Sequence, residues 1–81
     1  MGEEVSWRAI SRGMPVYDGA GERLGRVSRL LGAPDRDIFD GVAYRARLFA
    51  AEHRVPLDGI LRITAGGIYV GGEGEAGLNG R

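Results

Sequence analysis

The chain has 81 residues, no cysteine, and eleven basic against eleven acidic side chains. That length holds one domain with one core, and the absence of thiols excludes disulfides and thiolate metal sites. Zero formal charge excludes a global field that would steer the molecule to nucleic acid or anionic lipid, and apolar runs of only a few residues exclude a bilayer-crossing helix.

All eleven basic residues are arginine and 15 residues are glycine. The arginines read as the codon bias of a GC-rich, bacterial source; the glycines imply many tight turns, which favours short strands over long helices. Met1-Gly2-Glu3-Glu4 opens with two acids instead of a basic region leading into an apolar one, so a secretory leader is not expected and the cytoplasm is. Met1 to Ser6 formally fits a myristoylation pattern, but one too short to carry information and with acids unsuited to a membrane surface.

Residues 1–12 form a lead-in segment with a lone Trp7 and Ile10 and no clear period. Trp7 reads either as a plug at one end of the core or as an exposed contact anchor. From Gly13 the pattern becomes strand, turn, strand: Met14 and Val16 alternate with Pro15 and Tyr17, then residues 18–22 supply turn chemistry. In residues 23–31, Leu24, Val27 and Leu31 also fit one helical face. Gly25 decides for strand, because glycine lowers helix propensity by about 1 kcal/mol relative to alanine and the preceding turn favours a hairpin.

Residues 32–37 read as a loop, with Pro34 and two aspartates that break a ladder. Residues 39–47 alternate, with Val42, Tyr44 and Ala46 expected inward and Ala43, Arg45 and Arg47 outward, the signature of a sheet wet on one face. A hairpin tip is expected at 48–51, and a strand over 52–56 with Val55 inward. Leu57-Asp58-Gly59 is read as turning the chain, and residues 60–64 and 68–70 as strands joined by Ala65-Gly66-Gly67. Residues 71–81 hold five glycines and almost nothing to bury, so a disordered tail is expected. About six short strands in residues 13–70 suggest an all-β fold, a small antiparallel barrel, since closure removes edges that invite aggregation.

Gly13-Met14-Pro15-Val16-Tyr17-Asp18, followed by Leu24-Gly25-Arg26-Val27, resembles the opening of PRC-barrel domains. Leu48-Phe49, then Arg54-Val55-Pro56-Leu57, Ile60, Ile63 and Gly67-Ile68-Tyr69-Val70, is similar to that family's closing pattern. The family includes the cytoplasmic barrel of the photosynthetic reaction-centre H subunit, the C-terminal domain of a bacterial ribosome-maturation factor and short stand-alone proteins, and this chain looks most like the last group. The resemblance implies a barrel with a binding role and offers no catalytic motif to carry over.

The residues that could carry chemistry point the same way. Residues 18–25 have the glycines of a phosphate loop without its spacing, and the chain lacks the lysine of a P-loop. His53 is the sole histidine, with only carboxylates such as Glu52 or Asp58 to complete a metal set, and no serine beside it in a nucleophile context. The carboxylate pairs Glu3/Glu4, Asp35/Asp37 and Glu73/Glu75 fall in loops or tails, where solvent keeps their affinities for protons alike. No catalytic residue, metal or cofactor is therefore expected. Arg45 and Arg47 on the outer face, together with Trp7, are the candidate partner-binding residues. A thin core with no covalent staple adds the expectation of self-association, as a homodimer, or of docking on another protein. The alternative is a small nucleic-acid-binding barrel using Arg45, Arg47 and their neighbours, with Tyr69 or Tyr44 as stacking partner; neutral charge and the lack of an aromatic platform weigh against it.

Overall fold

The computed structural model describes residues 5–71. The expected tail, apart from Gly71, lies outside the described residues, as do Met1 to Glu4. Six strands form one sheet: β1 (Pro15–Tyr17), β2 (Arg23–Ala33), β3 (Ile38–Arg45), β4 (Glu52–Pro56), β5 (Ile60–Thr64) and β6 (Gly67–Val70). The remaining regular structure consists of three 3-10 turns, Trp7–Ala9, Pro34–Arg36 and Leu57–Gly59.

The strands are ordered β4-β3-β2-β1-β6-β5 across the sheet. Neighbours are antiparallel except β1 and β6, which pair in parallel through Val16 with Ile68 and Tyr17 with Tyr69. The all-β expectation and the six strands hold; the wholly antiparallel, closed barrel does not. The sheet is mixed, and no ladder joins its end strands β4 and β5. The cause lies in residues 57–59, which were expected to reverse the chain. They form a 3-10 turn that passes β4 into β5 in the same sense. With no reversal there, β6 arrives parallel to β1. Because β4 and β5 sit at opposite ends of the sheet yet are joined by three residues, the sheet must be strongly rolled.

The inner face of the roll carries the core: Val16, Val42, Val55, Ile68 and Val70 are fully buried, with Val27, Tyr44 and Ile10 nearly so. β-Branched side chains dominate because their restricted rotamers suit a pleated, half-buried surface. The alternation expected of β3 holds for Val42 and Tyr44, whereas Ala43, expected in water, is also fully buried. Its register explains this: Ala43 lies between Arg29 of β2 and Arg54 of β4, and stems that long cover a methyl group. β3 also ends at Arg45, two residues earlier than expected, which leaves Ala46 exposed.

Two glycines permit the close strand approach. A Cβ on Gly25 would stand 2.1 Å from the Arg45 carbonyl oxygen, and one on Gly41, whose φ is +139°, 2.1 Å from that of Val55. The lead-in segment packs onto this sheet. The Val5 N–H donates to the Ile63 carbonyl at 2.9 Å, alongside β5, and Ile10 joins the core.

Candidate functional site

Cross-strand register gathers the arginines. On the outer face Arg26 of β2 stands opposite Arg45 of β3, which stands opposite Glu52 of β4; the next outward row is Arg29, Ala43, Arg54. Four arginines and one carboxylate thus share the outer face of β2, β3 and β4. The carboxylate is internally satisfied: Ser28 Oγ donates to Glu52 Oε2 at 2.7 Å, and Arg29 donates from Nε and Nη2 to the two oxygens at 3.2 Å each. The Ser28 hydroxyl first, and then the Arg29 guanidinium, hold the Glu52 carboxyl below its ordinary proton affinity.

Arg45 is half-buried and donates from Nη1 to the Ala50 carbonyl at 2.7 Å, which pins the connection between β3 and β4. Arg26 likewise donates to the Gly13 carbonyl at 3.0 Å. These guanidinium groups are held in place by neutral acceptors, and among the described residues neither forms a salt bridge, although the charge of Arg45 is felt by Glu52 opposite it. Together with Arg47 they line a surface cleft of about 610 Å³ whose wall includes Gly13, Val27 and Leu48 and contains no carboxylate. At its edge the β3–β4 connection turns on a bond from Ala50 N–H to Arg47 O and exposes Leu48 by 77% and Phe49 by 94%.

Of the three residues expected at a contact site, the fold brings Arg45 and Arg47 to this cleft. Trp7 lies elsewhere. Its ring stacks on Phe39 at 5.1 Å with planes 2° apart, and the Arg8 guanidinium sits 4.9 Å from its centre. Phe39 and Arg45 are at opposite ends of β3, roughly 20 Å apart at strand spacing. Trp7 is half-buried against the core, so its stacked face serves the fold. Sequence reasoning placed a hairpin tip at Leu48 and Phe49 but did not make it part of a site. The signal was there: two large apolar residues in a turn, where polar ones are the rule.

The other candidates have structural partners. In the loop read first as phosphate-like, Asp18 Oδ1 accepts from the N–H groups of Ala20 and Glu22, both at 2.9 Å, which occupies donors an anion would need. His53 stacks on Tyr44 at 5.2 Å. Tyr69 stacks on Tyr17 at 5.1 Å and lies under the Arg62 guanidinium at 4.2 Å, on β6 and apart from Arg45. Asp35 and Asp37 are exposed, and Asp37 pairs with Arg8. The pairs Glu3/Glu4 and Glu73/Glu75 lie outside the described residues. Among the described residues no group of three or more histidine, aspartate or glutamate side chains converges as a metal site, and no helix is long and apolar enough to cross a membrane.

Compared with models of known families the chain matches none, and no curated protein matches it.

Proposed function

We propose that this chain is a PRC-barrel-type module that works by contact, self-associating or docking on another protein through the β3–β4 tip and the arginine-lined cleft beside it. The observation that carries the reading is Phe49, 94% exposed next to Leu48 at 77% on a turn pinned by Arg45. An aromatic held on a fixed turn offers a large apolar area at little entropic cost, and it is normally covered by a partner. Supporting the PRC-type reading, the family-like motifs fall in order on the strands: Val16 on β1, Leu24 to Val27 on β2, Val55-Pro56 on β4, and Ile68 to Val70 on β6.

The test is light scattering and cross-linking of the intact protein across a concentration series, beside Phe49→Ser. A concentration-dependent dimer that Phe49→Ser shifts toward monomer supports contact through the tip. A wild-type monomer at every concentration, with no partner retained from native lysate by cross-linking, overturns the reading.

The four outward arginines favour a second reading, single-stranded nucleic acid bound along the outer face of β2–β4. Its mark is binding to a thymidine homo-oligonucleotide that weakens steeply with salt. No binding at low ionic strength removes it.

A further inference from the structure

We infer that the free edge of β4 is the docking edge, and that it receives an extended acidic polypeptide segment as a seventh strand of the sheet. The inference rests on the contact reading and names its partner's chemistry. β4 and β5 are the two ends of the sheet. The β5 side is attended by Val5, whose N–H donates to Ile63 O. Among the described residues, no backbone hydrogen bond reaches β4 from its outer side. An edge strand leaves alternate N–H and C=O groups directed outward at strand spacing, a pattern that another extended backbone satisfies and that phosphates or lipid headgroups do not.

The side chains beside this edge specify charge. Arg54 points outward from the middle of β4, is exposed, and has no ion-pair partner among the described residues. Behind it in register lie the small Ala43 and then Arg29, and one row along stand Arg45 and Arg26. A strand added to β4 places alternate side chains over this face, and a carboxylate opposite Arg54 meets a free cation. Among the described residues the carboxylate in those two rows is Glu52, which is turned back toward Ser28 and Arg29 and leaves Arg54 unpaired. A basic segment meets repulsion at the same place. At the head of the edge, Leu48 and Phe49 supply the apolar anchor, so the fitting segment alternates acidic with apolar residues. Pro56 closes the ladder at the other end, since it has no N–H to give, and the docked segment is correspondingly short.

The probe is an end-capped octapeptide alternating glutamate with valine and threonine, titrated into the intact protein by calorimetry, with amide exchange read in β4. Saturable binding with slowed exchange in β4 is expected. Replacing the peptide's valines by proline, which keeps its charge but forbids a ladder, should weaken binding at least about tenfold. Arg54→Glu should weaken it by a similar factor, about tenfold, and admit a lysine-containing counterpart. Arg36→Glu, on the exposed turn after β2, should leave it unchanged. Equal binding of the proline peptide overturns the strand addition. So does a thymidine homo-oligonucleotide or a phosphatidylserine vesicle that binds more tightly than the peptide and depends equally on Arg54. If no peptide binds while Phe49→Ser still disperses a dimer, this inference falls and the contact reading stands; if both experiments are negative, both fall.

Discussion

Ser28 and Arg29 reach across β3 to one carboxylate, Glu52, and so tie β2 to β4, a strand that β2 does not adjoin. Both contacts favour the charged form, which places the folded-state proton affinity of Glu52 below its ordinary value of 4.5. A depressed carboxylate contributes stability that is fully present above the unfolded value and is lost as pH falls through the folded one. Thermal melts of the wild type should therefore lose this contribution below pH 4.5, and Glu52→Gln should show a shallower decline over that acid range. An identical acid slope in the two proteins refutes the assignment. Gly25 sets a sterner test. Its missing Cβ leaves room for the Arg45 carbonyl, and backbone on both sides cannot yield. Gly25→Ala should cost about 3 kcal/mol by overpacking, measured as a lower denaturant midpoint at unchanged slope.

At the scale of elements, the lead-in segment works as a strap. It starts beside β5, makes a 3-10 turn capped by Ser6, lays Trp7 on Phe39 at the head of β3, and buries Ile10. Trp7→Ala should remove the stack and cost about 2 kcal/mol, which in a domain this small lowers the melting midpoint by roughly 10 °C. If the midpoint is unchanged, the ring is a spectator of the fold. Most elements were legible because β1 and β3 alternate apolar with other residues and the turns after β1 and β5 hold glycine or aspartate. β4 and β5 were read with their observed limits, residues 52–56 and 60–64. The relation between them was not legible. Leu57-Asp58-Gly59 has the composition of a reversing turn, and only the packing of the rolled sheet makes it a forward-going 3-10 turn. That one difference changes an antiparallel design into a mixed sheet. The burial of Ala43 was hidden for a related reason, since its neighbours on the outer face, Arg29 and Arg54, are set by the register of β2 and β4.

For the molecule as a whole, zero net charge conceals a partition. Between Val5 and Gly71 there are ten arginines and seven carboxylates, while Glu3, Glu4, Glu73 and Glu75 lie in the flanking segments with Arg81. The arginines of the outer face, chemically plain in the sequence, become a site only through the pairing of β2, β3 and β4. Arg45 and Arg47 could be picked out by parity, but Arg26 and Arg54 join them through register, which depends on turn lengths and on the irregularity between Val27 and Arg29. A neutral protein with one cationic face should be held by a cation exchanger at pH 7 and low salt, because retention follows local potential and not net charge. Arg45→Glu should elute earlier than Arg36→Glu, although both change the net charge equally; coincident elution contradicts a localised field.

The two hydrogen bonds that anchor Val5 to Ile63 and Gly71 to Gly59 also bring the ends of the described chain to β5 and the turn that leads into it. The acceptors are four residues apart, on the order of 13 Å at strand spacing. The backbone is thus nearly a closed loop, and its order of reading is separable from its shape. A permuted chain in which a short glycine-serine linker joins Gly71 to Val5, with new ends opened between Leu48 and Phe49, should keep the wild-type far-ultraviolet spectrum and its cooperative melt. Such a chain would fold with the contact tip cut in two, separating what the tip does for a partner from anything it does for the sheet.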